Sequence, residues 1–167
     1  RAADRDLRVY CVHLDDLLTR TRLLQIEDLR AIVFGAPGQG GVMSGVHDPD
    51  DAYADEDWWN GEPSPPMPAP AIVMGDFNAP PGGPEYDALV GPRDAIRGRV
   101  VTPDHLVDTA TDDAPTWLSD PARTDMPPAR IDYVFVTADL AHAVARAWVD
   151  REAEGSDHQP VWAELAL

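Results

Sequence analysis

The sequence predicts an α/β fold with sheets built from buried strands, and three observations carry that reading. Apolar runs rich in β-branched and aromatic residues recur at residues 7–14 (LRVYCVHL), 71–75 (AIVMG), 131–137 (IDYVFVT), 143–149 and 161–167. Helical periodicity is confined to two segments, so strands outnumber helices. Several strand candidates are near-continuous rather than alternating, which favours sheets covered on both faces over a half-wet meander.

In chain order, residues 7–14 suit a buried strand. Asp15 or Asp16 then offers an N-cap for a helix over 17–34, whose apolar residues Leu23, Ile26, Leu29, Ile32 and Val33 recur at helical spacing. Gly35 and Pro37 are expected to stop it. Residues 35–70 read as an acidic, Pro/Gly-rich loop insertion carrying Trp58 and Trp59. A solvated insertion is favoured there over a calcium loop, because the EF-hand ligand spacing is absent. Its two tryptophans suit an anchor to the body slightly better than a substrate platform. The strand at 71–75 follows, then a short helix at 84–90 with Pro84 near its first position. Residues 91–129 read mostly as loops, and strands at 131–137, 143–149 and 161–167 complete the chain.

A chain of 167 residues suits one domain, and 44% hydrophobic residues can bury a core without disulfides or a structural metal. Thirty acidic residues face 13 basic ones, all of them Arg, for a net charge of -17. That field repels long polyanions, and non-specific duplex binding needs many basic contacts to phosphate, so duplex nucleic acid is disfavoured as a partner. Cys11 is the single cysteine, which excludes an intrachain disulfide and suits a buried, inert thiol. No apolar stretch is long enough to span a membrane. No signal peptide is visible, and the compartment stays open. The chain starts at Arg1 without Met and reaches strand-like sequence within a few residues, so the expectation is a piece of a longer protein.

Three segments place polar groups where the core pattern predicts none: GDFN at 75–78, RID at 130–132 and SDH at 156–158, each read at the end of a strand. A carboxylate in a buried run is costly unless it is paired or holds a metal. For any single Asp a structural hydrogen-bonding role is an even match; three segments together, with an Asn and a His among them, point to a site. The set fits phosphate-ester hydrolysis, which needs a positioned water, a cation for phosphoryl oxygens and donors for transition-state charge. Carboxylates suit Mg²⁺, and a His oriented by Asp holds a proton near neutral pH.

AIVMGDFNAPP, RIDYVFV and GSDHQPVWAEL, in that order, resemble the endonuclease/exonuclease/phosphatase superfamily, and VHLDD followed by a helix with Arg22 and Gln25 resembles its HLD segment. The resemblance spans about residues 7–165. It implies a four-layer α/β/β/α sandwich, here a single domain over 1–167 with N-terminal elements missing. It implies hydrolysis of a phosphodiester or phosphomonoester by in-line attack of water, assisted by Mg²⁺ or Mn²⁺. By the same resemblance Asp76 orients or deprotonates the water, and Asn78 bonds the scissile phosphate and helps fix that carboxylate. His158 stabilises the pentacoordinate phosphorus, Asp132 pairs with His158, and His13 contacts phosphate. Asp157 lies at or near the metal, and Arg130 suits either a site contact or a structural ion pair.

The family's strands bearing a metal-site Asn and a metal-ligating Glu have no counterpart before Leu7. Glu27, within a helix, and Glu56, in the acidic loop, do not replace that Glu. A complementary N-terminal segment is the expected source, and the 167-residue chain alone is expected to turn over poorly. The alternative reading is a catalytically incomplete fragment or a non-catalytic binding module of the same fold. Dinuclear phosphatase segments, an HxHxDH metal motif and a GxSxG elbow are all absent.

Overall fold

The computed structural model describes residues 6–39, 67–100, 102–110, 112–119, 122 and 125–167. In chain order the elements are β1 (Arg8–His13), α1 (Thr19–Gln39), β2 (Ala71–Asp76), α2 (Pro84–Val90), β3 (Arg93–Asp94), β4 (Gly98–Arg99), β5 (Leu106–Asp108), β6 (Asp132–Thr137), a 3₁₀ turn (Ala138–Ala143), β7 (Val144–Val149) and β8 (Val161–Leu165). The main sheet has the order β1-β2-β6-β5. β1 runs parallel to β2, while β6 is antiparallel to both β2 and β5. β7 and β8 form a separate antiparallel pair, with β8 packed beside β6. β3 and β4 form a further two-stranded sheet, and the architecture is mixed α/β, as expected.

One face of the main sheet carries the core. Side chains alternate along a strand, so Ala71 and Val73 of β2 and Tyr133 and Phe135 of β6 share that face. They meet Ile26, Leu29 and Val33 of α1 and Leu89 and Val90 of α2. Phe77, fully buried, stands edge-on to Tyr133 at 5.7 Å and to Phe135 at 5.0 Å. Each such ring contributes about 1.5–3 kcal/mol by burial. Between the helices, the Arg22 guanidinium donates twice to Oε1 of the buried Glu85, at 2.8 and 3.0 Å.

Five expectations are corrected. Helix α1 does not stop at Gly35 but runs through Pro37 to Gln39. Proline cannot donate to the carbonyl four residues back, and here Arg8 Nη1 serves the Val33 carbonyl instead, at 2.6 Å. Ile32, expected on the buried face, is 54% exposed; the buried stripe runs through Arg22, Ile26, Leu29, Val33 and Ala36. Coverage on both faces holds for β6 but not for β1, whose burial alternates. Cys11 accordingly lies exposed on the open face rather than buried. Finally, the region read as loops supplies β5, a genuine edge strand of the main sheet. Of the 35–70 insertion, residues 40–66, with Glu56, Trp58 and Trp59, lie outside the described residues.

Candidate active site

Strand register assembles the site. His13 ends β1, and parallel pairing sets it opposite Asp76, the last residue of β2. Asp76 in turn lies opposite Asp132, the first residue of β6. GDFN therefore spans the end of β2, whereas RID leads into the start of β6; antiparallel pairing brings both to one end of the sheet. Because side chains alternate, His13, Asp76 and Asp132 stand in a row on the face away from the helices.

Local backbone detail fixes the middle of that row. Gly75 adopts φ +134°, and a Cβ there would sit 1.9 Å from the Val12 carbonyl oxygen, so only glycine lets β2 approach β1 this closely. Asn78 takes φ 50°, a left-handed conformation that Asn tolerates better than most residues. Its backbone N–H donates to Asp76 Oδ1 at 2.8 Å, and its side-chain amide donates to the Leu14 carbonyl at 2.9 Å. The HLD turn is held from the other side: Asp15 N–H donates to Gln25 Oε1, and Arg22 Nη1 to the Asp15 carbonyl.

The SDH segment reaches the row from the other sheet and precedes β8 rather than ending a strand. Its His158 N–H donates to Ser156 Oγ at 3.0 Å, and backbone bonds dock it on residues 116–118, which bond in turn to Ala129 just ahead of RID. His158 Nδ1 then lies 2.9 Å from Asp132 Oδ2. Asp76, Asp132 and His158 offer ligand atoms all within 4.8 Å of one another. His13 Nε2 stands 3.6 Å from Asp76 Oδ2, with a side chain 74% exposed.

Burial pushes the Asp76 carboxyl above its ordinary range and the Asp132 charge adds to this, against the Asn78 N–H and the two histidines. For His158, burial alone would lower the pKa, but the hydrogen bond and charge of Asp132, helped by Asp76 and Asp157, outweigh it and raise it. The result is a basic imidazole beside a reluctant carboxylate.

The profile of the Endonuclease/Exonuclease/phosphatase family matches residues 7–158, which contain every segment of this site. The chain belongs to that family. Solved structures of similar fold include an endonuclease/exonuclease/phosphatase family protein from Bacteroides thetaiotaomicron, at 19% identity and TM-score 0.50 over 94% of this chain and 48% of that one. The catalytic domain of Xenopus laevis APE2 is similar at 20% identity and TM-score 0.52, over 95% and 49%. A conserved protein of unknown function from Enterococcus faecalis V583 is similar at 19% identity and TM-score 0.50, over 95% and 49%. The chain spans about half the length of these structures. No curated protein matches it.

The structure brings Asp76, Asn78, Asp132 and His158 together, with His13 at the rim. Asp157 stays exposed and outside the group that could hold a metal, though its charge reaches His158. Arg130 is buried and committed elsewhere: Nη2 donates to both Asp108 oxygens at 2.6 Å, and the guanidinium lies over the Tyr133 ring. It is a structural ion pair. Glu27 is an exposed residue of α1. Two facing carboxylates with one pKa raised form a pair that a hard cation would relieve, so the residues present fit the family's general dependence on divalent metals. The sequence reading missed Thr116, whose Oγ1 accepts the N–H groups of Ile131 and Asp132; it lies in a stretch without strand or motif pattern.

Proposed function

We propose that this chain is the larger part of the catalytic apparatus of a divalent-metal phosphoric ester hydrolase. The observation that carries the reading is the convergence of Asp76, Asp132 and His158 from three distant segments into one group within 4.8 Å. Structural carboxylates have no reason to face one another across a strand pair, where like charges destabilise.

The roles follow from the geometry. Asp76, with its raised pKa, suits the group that orients and deprotonates the attacking water. Asn78 locks Asp76 through its backbone N–H and can turn an amide hydrogen toward a phosphate oxygen. Asp132 holds Nδ1 of His158, which leaves Nε2 to stabilise charge developing on phosphoryl oxygens. His13, exposed at the rim, suits a contact to an incoming phosphate. Mg²⁺ or Mn²⁺, held through oxygens of Asp76 and Asp132, with Asp157 nearby and a further carboxylate from a complementary N-terminal segment, would neutralise phosphoryl charge. In-line attack of water on a phosphodiester or phosphomonoester is the reaction this arrangement serves. A net charge of -17 disfavours duplex nucleic acid as its substrate.

The chain's span of about half its structural neighbours favours a second reading, in which these residues form an incomplete fragment or a binding module of the same fold. The two are separated by assaying p-nitrophenyl phosphate and bis(p-nitrophenyl) phosphate with the 167-residue chain and with the full reading frame, with and without Mg²⁺. We expect metal-dependent turnover from the full protein, lost in His158→Ala, and little from the chain alone. A full-length protein without turnover on either ester would end the enzymatic reading, and an active 167-residue chain would end the need for a complementary segment.

A further inference from the structure

The Asp132–His158 bond joins residues from two different sheets: Asp132 opens β6 and His158 precedes β8, and no strand ladder links those two strands. A third segment bridges the two sides. Residues 116–118 lie between them. Thr116 N–H donates to the Ala129 carbonyl at 3.0 Å, Trp117 exchanges bonds with Ala129, and Leu118 N–H donates to the Asp157 carbonyl at 2.7 Å. The Thr116 carbonyl accepts the N–H of Gln159, next to His158, at 2.5 Å.

Most of these bonds are between backbone groups and would form with any residue. The Thr116 hydroxyl is different. Oγ1 accepts two consecutive amides, Ile131 N–H at 3.0 Å and Asp132 N–H at 2.9 Å, at a position fully shut from solvent. A hydroxyl oxygen has two acceptor sites, and two N–H groups converge on this one. One residue thus holds the amide of Asp132 with its side chain and the amide beside His158 with its main chain.

We propose that Thr116 is the positioning residue that sets the Asp132–His158 pair. The functional weight of this rests on the pair being catalytic, as argued above; the positioning itself does not. Thr116→Val keeps the shape and removes the acceptor, leaving two buried donors without a partner and Asp132 free to shift. Thr116→Ser keeps the acceptor and removes only a methyl group.

The test uses the purified chain without metal, with the imidazole ring ¹⁵N–¹H spectrum and amide hydrogen exchange as readouts. Thr116→Val should exchange at the Ile131 and Asp132 amides at least about tenfold faster and lose the His158 ring N–H resonance held by Asp132. Thr116→Ser should keep both. In the full-length enzyme, kcat should fall in Thr116→Val with KM nearly unchanged, and recover in Thr116→Ser. A folded Thr116→Val protein with His158 ring signals like the parent's overturns the proposal. So does loss of those signals in Thr116→Ser, which is decisive even where Thr116→Val does not fold. These spectra need no turnover, so an inactive full-length protein would end the catalytic reading while leaving the positioning result standing.

Discussion

His158 Nδ1 lies 2.9 Å from Asp132 Oδ2 across a gap of 26 residues, and each partner is brought there by a separate sheet. The carboxylate fixes the ring's tautomer by accepting from Nδ1, so the imidazole presents a defined nitrogen, Nε2, on its other side. Its neighbour across the ladder, Asp76, faces Asp132 with a raised pKa. The site therefore sets a basic imidazole beside two facing carboxylates. That asymmetry suits an anionic phosphate at one end and a cation at the other.

Replacing Asp132 by Asn should separate these roles. The ring would lose its charged partner while burial remained, so the His158 pKa should fall, since burial is the largest influence and acts downward. Turnover by the full protein should fall about 10²–10⁴-fold with substrate binding largely kept. An NMR titration of the His158 ring checks the first expectation, and a pKa unchanged in Asp132→Asn would contradict it.

The same pair links stability to pH. A group whose folded pKa is raised stabilises the fold fully below its unfolded pKa, about 6.5 for imidazole, and loses that contribution as pH rises through the folded value. Chemical denaturation of the parent and of Asp132→Asn at about pH 5.5 and about pH 8.5 should therefore show the larger deficit of the variant at the lower pH. An equal deficit at both would mean that the pair is not ionic in the folded state.

Much of this site was legible in the sequence because its residues are anomalies: Asp76, Asp132 and His158 interrupt or abut apolar runs, and an anomaly is visible without coordinates. Strands β2 and β6 and helix α2 were legible for the complementary reason, since their apolar runs are bounded by turn residues. What stayed hidden depended on partners. β5 is three residues long and is a strand only because β6 pairs with it. Cys11 looks apolar in sequence, and its exposure follows from which way β1 faces. The carbonyl left open by Pro37 in α1 is met by a guanidinium 29 positions earlier in the chain, which no local pattern can announce.

Asp76→Asn should stabilise the metal-free chain while abolishing turnover. The carboxylate is desolvated and repelled by Asp132, and an amide oxygen can still accept the Asn78 N–H. A gain of about 0.5–2 kcal/mol is the usual scale for relieving such functional strain. Mg²⁺ should raise the parent's melting midpoint and leave the variant's unmoved, by linkage to binding. Thermal melts with and without Mg²⁺ check both, and a less stable variant would mean that the carboxylate is not under strain.

Gly75→Ala should be among the most damaging single changes available. The new Cβ would overlap the Val12 carbonyl oxygen at 1.9 Å, and the backbone would be held at a φ of +134° that alanine rarely adopts. The strands β1 and β2 would part at the point where His13 and Asp76 face each other, costing roughly 3 kcal/mol or more. Urea denaturation measures the loss; a cost under about 1 kcal/mol would show that the two strands can re-register around the methyl group.

The bond between Arg8 and the Val33 carbonyl yields a prediction about pairs of residues. Arg8 also donates to the part-buried carbonyls of Pro68 and Ala69, so Arg8→Met should orphan the one buried acceptor, the Val33 carbonyl, and cost about 1–3 kcal/mol. The Val33 carbonyl lacks its helical donor because Pro37 has no N–H to give it. With alanine at 37 the helix can close its own bond to Val33, so the guanidinium becomes partly redundant. Arg8→Met should then cost about 1 kcal/mol less in a Pro37→Ala background than in the parent. A double-mutant cycle by urea denaturation measures that coupling. If Arg8→Met costs the same in both backgrounds, the guanidinium is not what carries helix α1 through its proline.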